Sequence, residues 1–109
     1  MSDLTSSKDV FEAVGDVQIV DVREDYEWEA GRIEGATHVP LNDLMGGAGE
    51  FSTDKPVVVV CRTGNRSELA TLMLRARGLD AHNLANGMEE WEQEGLPIST
   101  PDGQPGRVA

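Results

Sequence analysis

The sequence predicts an α/β domain with a mainly parallel sheet and helices packed against it. Short β-rich segments alternate with segments of helical spacing along the chain, which is the pattern of such domains. Two β-rich segments, 17–22 and 57–60, carry adjacent apolar residues, as strands buried on both faces do. The length of 109 residues suits one hydrophobic core. We therefore expect one domain over residues 1–98, and a flexible tail over residues 99–109, where prolines and glycines accumulate.

The first half of the chain is predicted to hold short elements. An amphipathic helix that ends at a glycine leads into the strand at 17–22. Residues 25–30 suit one or two helical turns, with Tyr26 and Trp28 as aromatic anchors. Residues 37–39 form a short extended segment that a proline ends.

The second half carries the strongest pattern. Residues 57–60 are four consecutive valines, which is typical of a central strand. The helix that follows is predicted to lay an apolar stripe against the sheet, made of Leu69, Leu72, Met73 and Ala76. Residues 81–85 predict a last strand, and residues 88–94 an acidic helix with Trp91 in the core.

The charge of the chain limits its partners. Twenty acidic residues against nine basic ones give a net charge of −11, which opposes binding to nucleic acids or anionic membranes. No apolar stretch reaches the roughly 20 residues of a membrane helix, and the first residues lack the pattern of a signal peptide. We therefore expect a cytoplasmic protein whose acidic surface serves solubility or selects a basic partner.

The single cysteine, Cys61, begins a loop that leads from the buried strand into the next helix. The chain has no second cysteine for an internal disulfide, and its two histidines show no zinc-binding spacing, so no metal is expected. Gly64 and Asn65 accept positive φ, and a loop that curls this way turns its N–H groups inward in front of a helix N-terminus. Residues 56–78 hold four arginines and one acid. The pattern predicts an anion-binding cradle with a nucleophilic thiolate at its foot, from Cys61 to Arg66.

Four segments resemble the single-domain rhodanese family of sulfurtransferases. They are IVDVRE at 19–24, EWEAGRIEGATHVPL at 27–41, VVVVCRTGNRS at 57–67 and NGMEEWEQEGLPI at 86–98. The resemblance implies a central five-stranded parallel sheet with helices on both faces. It also implies an enzyme of the thiosulfate sulfurtransferase type that needs no cofactor beyond a covalent persulfide on Cys61.

The resemblance also implies roles for the loop. Cys61 would take sulfur from a small anionic donor such as thiosulfate and pass it to cyanide, a thiol or a protein acceptor. Backbone N–H groups would stabilise the persulfide, while Arg62 and Arg66 would face the donor's negative charge. Thr63 and Ser67 would add hydroxyl groups, although Ser67 also suits the start of a helix. The loop assigned to donor binding is Arg62, Thr63, Gly64, Asn65, Arg66 and Ser67.

Some polar residues outside the loop are given supporting or structural roles. Asp21 and Arg23 match the family's DxR pattern at a strand end, where we expect an ion pair that braces the loops. His38 is interpreted as a packing residue because a lone histidine beside a strand is usually satisfied by its neighbours.

Two other functions remain open from the sequence. One is a cysteine-dependent phosphatase or arsenate reductase, which uses a similar cradle with five residues between cysteine and arginine. Here four residues separate Cys61 from Arg66, and the smaller loop favours sulfur. The other is a rhodanese-like docking module, or a sulfur relay that acts only with a partner protein.

Overall fold

The computed structural model describes residues 4–109, so residues 1–3 of the predicted domain lie outside the described part. The four strands are β1 (Gln18–Asp21), β2 (Thr37–His38), β3 (Val57–Val60) and β4 (Ala81–Asn83). The five helices of the described part are α1 (Ser7–Glu12), α2 (Asp25–Ala30), α3 (Leu41–Met45), α4 (Asn65–Ala76) and α5 (Gly87–Gln93). The strands form one parallel sheet in the order β2-β1-β3-β4.

The two central strands end level with each other. Val20 pairs with Val59, and Asp21 pairs with Val60 at the last position of both strands. Parallel strands point their carboxyl ends at the same edge of a sheet, which is where such folds bind ligands. The residues that follow β1 and β3 therefore meet at one edge.

Helices cover both faces of the sheet, as predicted. All four valines of β3 are fully buried, and they alternate between two core clusters. Val57 and Val59 belong to the cluster that contains Leu44 of α3 and Leu74 of α4. The other two valines pack on the opposite face, in a cluster built from α1 and α5 that includes Val10, Met88 and Trp91. This double burial explains why the strand has no polar face.

The number of strands differs from the expectation of five. Within residues 4–109 the parallel sheet has four strands. Near the end of the chain, Ser99 makes only isolated antiparallel bridges, to Arg32 and to Pro105. Single bridges do not build a ladder, so this segment adds no strand to the sheet.

The predicted apolar face of α4 is wrong. Leu69 and Leu72 are 44% and 56% exposed. The buried residues of this helix are Ser67, Ala70, Thr71 and Leu74. These positions also repeat at helical spacing, but two carry hydroxyl groups and one is small, so hydropathy indicates the opposite face. The Thr71 hydroxyl donates to the Ser67 carbonyl at 2.7 Å, which satisfies it inside the core.

Alanine substitutions on α4 test which face is buried. Leu74→Ala should lower the free energy of unfolding by about 3 kcal/mol, because it opens a cavity at a fully buried site. Leu72→Ala should change it by less than about 0.5 kcal/mol. Urea denaturation followed by circular dichroism measures both. A larger loss for Leu72→Ala than for Leu74→Ala would restore the face predicted from hydropathy.

The aromatic residues differ in burial. Trp91 is 1% exposed, and its indole N–H donates to the Pro97 carbonyl at 2.9 Å, as a core residue requires. Tyr26 is 68% exposed, so its interpretation as an anchor is wrong. Trp28 is half-buried, with its ring stacked on His38 at 4.7 Å and the Arg32 guanidinium 4.3 Å from the ring centroid.

The tail after residue 98 contacts the end of α2 and the helix α5. The Arg107 amide donates to the Ala30 carbonyl at 3.0 Å, and the Val108 amide donates to the Glu92 carboxylate at 2.9 Å. The flexibility of residues 99–109 stays a prediction. Among residues 4–109, no helix combines the length and apolar character needed to cross a bilayer.

Candidate active site

The loop that begins at Cys61 joins the carboxyl end of β3 to the start of α4. The loop is held in place by α5, because backbone amides in the first turn of that helix donate to loop carbonyls. The Met88 amide donates to the Cys61 carbonyl at 2.8 Å, and the Glu89 amide donates to the Arg62 carbonyl at 3.0 Å. The loop is therefore fixed by a helix that lies more than 20 residues further along the chain.

Two glycines allow the backbone segments around the loop to approach. Gly64 has φ +98°, and a Cβ atom there would lie 2.0 Å from the Ala85 carbonyl oxygen. Gly87 has φ +62°, and its Cβ atom would lie 2.5 Å from the carbonyl oxygens of Cys61 and Arg62. A side chain at either position would be both strained and in collision, so the loop requires glycine at both.

The Cys61 sulfur lies inside this cradle. It is 1% exposed and accepts hydrogen bonds from the Gly64 amide at 3.0 Å and the Ser67 amide at 3.4 Å. The Ser67 hydroxyl oxygen lies 3.2 Å from the same sulfur. Hydrogen bonds from fixed amides stabilise a negative charge on sulfur, because they need no reorganisation when the charge forms.

Asn83 completes the cradle and was not singled out from the sequence. The Ser67 hydroxyl donates to the Asn83 amide oxygen, and the Asn83 amide nitrogen donates to the Gly64 carbonyl at 3.1 Å. One side chain on β4 thus holds both residues whose groups contact the sulfur, Gly64 and Ser67. A polar residue inside a strand that neighbours β3 is the signal that could have indicated it.

Arg66 does not point into free space beside the sulfur. Its guanidinium donates two hydrogen bonds to Glu27 of α2, at 2.7 and 2.9 Å. The Glu27 side chain is 2% exposed and also accepts the Glu24 amide at 3.0 Å in a capping box. The sequence patterns assign no role to Glu27, although its capping-box spacing from Glu24 is a local signal that its side chain is held in place.

The ion pair shifts the pKa of both partners. Burial raises the pKa of Glu27, but hydrogen bonds from Arg66 and the Glu24 amide, with the charges of Arg66 and Arg23, outweigh burial and set it below the ordinary glutamate value. The hydrogen bond to Glu27 raises the pKa of Arg66, and the charge of Glu27 adds to this rise against the effect of burial.

The lowered pKa of Glu27 predicts a loss of stability in acid. A carboxylate with a depressed folded-state pKa contributes stability above its unfolded value of about 4.5, and the contribution disappears as the pH falls through the folded-state pKa. Glu27→Gln should therefore lower the free energy of unfolding at pH 7, and its difference from the wild type should shrink below pH about 4.5. Urea denaturation at several pH values measures this.

The exposed Glu94→Gln is the matched control for this series, and it should track the wild type throughout. A Glu27→Gln deficit that stays constant down to pH about 3 would show that the carboxylate charge does not matter for stability.

The remaining predicted loop residues lie at the rim. Arg62 is half-exposed and pairs with Glu89 of α5 at 3.1 Å. Thr63 and Asn65 are exposed. Their part in donor binding stays a prediction.

Asp21 and Arg23 form the expected ion pair, and both are fully buried. The Arg23 guanidinium donates to the Asp21 carboxylate at 2.8 to 3.1 Å and to the Gly31 carbonyl at 2.7 Å. The pair thereby ties the end of β1 to the end of α2. His38 donates from Nε2 to the Arg23 carbonyl at 2.8 Å, so it is satisfied by a backbone group. These contacts suit a bracing role for all three residues.

Comparison with known proteins identifies the family of the chain. The family model of the rhodanese-like domain matches residues 7–94. Thiosulfate sulfurtransferase GlpE of Shewanella oneidensis is 35% identical over 78 residues, which are 71% of this chain and 77% of that protein. The crystal structure of a rhodanese-related protein from Thermoplasma volcanium superposes with a TM-score of 0.82 at 29% identity, and covers 89% of this chain and 97% of that one.

Some relatives are longer than this chain. An uncharacterized protein of Bacillus subtilis, YqhL, is 41% identical over 75 residues, which are 68% of this chain and 60% of that protein. The chain spans 38% and 41% of the length of two further curated relatives that it matches. The family match covers the sheet, the loop from Cys61 to Arg66 and the helices on both faces. The chain belongs to the rhodanese-like domain family.

Proposed function

We propose that the protein transfers sulfane sulfur from a small anionic donor, such as thiosulfate, to a thiophilic acceptor through a persulfide on Cys61. The Cys61 thiolate attacks the outer sulfur of thiosulfate. A sulfur–sulfur bond to Cys61 forms, the sulfur–sulfur bond of thiosulfate breaks, and sulfite leaves with the electron pair. The product is a Cys61 persulfide that carries the negative charge on its outer sulfur.

One observation carries this proposal. The Cys61 sulfur lies among the Gly64 amide, the Ser67 amide and the Ser67 hydroxyl, at 3.0 to 3.4 Å. The two amides can stabilise the thiolate before the attack and a persulfide after it, because they already point toward the sulfur. The thiosulfate sulfurtransferase among the relatives supports the choice of donor.

The second half of the reaction returns Cys61 to its starting form. A nucleophile such as cyanide or a thiolate attacks the outer sulfur, which leaves with the acceptor, and Cys61 regains the electron pair of the broken bond. We propose that no cofactor takes part beyond the persulfide itself. The same chemistry serves a protein thiol as the acceptor, which keeps a sulfur relay within the proposal.

Intact-protein mass spectrometry tests the first step. After incubation with thiosulfate and removal of excess donor, the protein should gain the mass of one sulfur atom, and peptide mapping should place it on Cys61. Cyanide should then remove the added mass and release thiocyanate. An unchanged mass together with hydrolysis of an aryl phosphate would replace the proposal with phosphatase chemistry.

A further inference from the structure

The arginines near the loop are neutralised or held by groups from elsewhere in the chain. Glu27 takes two hydrogen bonds from Arg66, and Glu89 pairs with Arg62. The other two arginines of residues 56–78 are also engaged, since Arg75 donates to the Ala81 carbonyl at 2.9 Å and Arg77 donates to the Gly49 carbonyl at 2.8 Å. Each of the two loop arginines is therefore paired with a carboxylate, whereas Arg75 and Arg77 are held by backbone carbonyls and keep their charge.

The pairing of Arg66 is the firmest of these. Glu27 is almost fully buried and is also fixed by the Glu24 amide, while Arg66 is one-third exposed. A donor anion would find two of the five guanidinium N–H groups of Arg66 already bound to a preorganised carboxylate. Arg62 and Glu89 are both half-exposed, so their pair can exchange with solvent.

The charges around the sulfur therefore nearly cancel. The carboxylates of Glu27 and Glu89 offset the two loop arginines, and the chain as a whole carries −11. What remains for the incoming sulfur is the set of amide dipoles from Gly64 and Ser67. The net charge of −11 on the chain repels a dianion more than a monoanion of the same size, because the interaction energy scales with charge.

We propose that Glu27 is a specificity-determining residue that favours sulfur donors with a single negative charge, such as thiosulfonates, over dianions such as thiosulfate. The proposal rests on the sulfur-transfer function proposed above. For a thiosulfonate, the Cys61 thiolate takes the outer sulfur and the sulfinate leaves with the electron pair, so the step is the same and only the charge of the donor differs. Glu27 acts through Arg66 and does not touch the donor.

The rate of persulfide formation tests this without an acceptor. Methanethiosulfonate and thiosulfate match in size, since a methyl group replaces one oxygen, and the second-order rate constant for mass gain on Cys61 is measured for each across a range of ionic strength. The wild type should react faster with methanethiosulfonate. Its rate with thiosulfate should rise with added salt, because salt screens the repulsion. A thiosulfate rate that falls with salt would mean an attractive site and would overturn the proposal.

Variants that replace a charged side chain by glutamine test whether Glu27 causes the donor preference. Glu27→Gln frees the charge of Arg66 and should raise the thiosulfate rate constant about tenfold and the methanethiosulfonate rate constant about threefold. The double variant Glu27→Gln with Arg66→Gln keeps a neutral hydrogen-bonded pair and should return the ratio of the two rates to the wild-type value. Glu94→Gln, an exposed change of the same charge, should leave the ratio unchanged.

The outcomes separate the two proposals. Sulfur addition from neither donor would reject sulfur transfer and this inference with it. Addition from both donors, with the same rate ratio in folded Glu27→Gln as in the wild type, would reject the inference alone. If Glu27→Gln does not fold, Arg66→Gln takes its place: it leaves the Glu27 carboxylate unpaired and should slow thiosulfate more than methanethiosulfonate, and an unchanged rate ratio would reject the inference.

Discussion

Replacing Cys61 by serine should abolish sulfur transfer from thiosulfate and leave the fold intact. Serine keeps the size and direction of the side chain, and its oxygen can accept the Gly64 amide that the sulfur accepts now. A neutral hydroxyl is not a nucleophile toward sulfane sulfur, and the groups that contact the sulfur are amides and a hydroxyl, which do not act as a base to activate it. The variant should therefore gain no sulfur in the mass experiment, while its free energy of unfolding changes by no more than about 1 kcal/mol.

The control for Cys61→Ser in the mass experiment is a variant that alters the loop around the sulfur but keeps the cysteine. Ser67→Ala removes the hydroxyl that lies 3.2 Å from the sulfur and keeps the amide that donates to it. It should slow sulfur addition without abolishing it. Persistent sulfur addition to Cys61→Ser, at any position, would show that Cys61 does not carry the transferred sulfur.

Replacing Gly64 by alanine should unfold the loop and cost about 3 to 5 kcal/mol of the free energy of unfolding. Two penalties add at this position. The backbone has φ +98°, and the new Cβ atom would lie 2.0 Å from a carbonyl oxygen that cannot retreat, because Ala85 leads directly into α5. Movement of Gly64 also withdraws its amide from the Cys61 sulfur, so activity should fall along with stability.

Gly78→Ala is the matched control for Gly64→Ala. Gly78 has φ +87°, and within the described part of the chain a Cβ atom added there would meet nothing closer than 4 Å. Alanine at this position therefore suffers the backbone strain without the collision. It should cost about 1 to 2 kcal/mol in urea denaturation and leave sulfur addition unchanged. Equal losses for the two variants would mean that the contact with Ala85 does not limit the position.

The sequence was most informative where a pattern depends on the backbone. Four consecutive valines predict a strand buried on both faces, since no wet face is possible, and the structure confirms it. Gly64 marks a turn that only glycine tolerates, and this places the loop that Cys61 begins. The sheet order could not be predicted in the same way, because it depends on which crossovers pack best.

Local sequence patterns could not predict which side chains pair with residues far away along the chain. The buried face of α4 includes Ser67 and Thr71, whose hydroxyl groups are satisfied inside the fold, so hydropathy points to the wrong side of the helix. Glu27 and Asn83 act on the loop from 39 and 19 residues away. A local pattern carries no information about such distant pairs, and positive charges that look free in the sequence are paired in the structure.

The bracing of the loop by α5 makes the shape of the site depend on a helix more than 20 residues further along the chain. The carbonyls of Cys61 and Arg62 depend on amides at Met88 and Glu89, so the cradle has no fixed shape until the last quarter of the chain has docked. When only the first two-thirds of this chain has been synthesised, Cys61 is present but the amides of Met88 and Glu89 that brace its loop are not. Any opening that detaches α5 would release the loop as well, and the Cys61 sulfur would then be exposed to solvent. The protection of the Cys61 sulfur from solvent thus depends on the docking of one seven-residue helix.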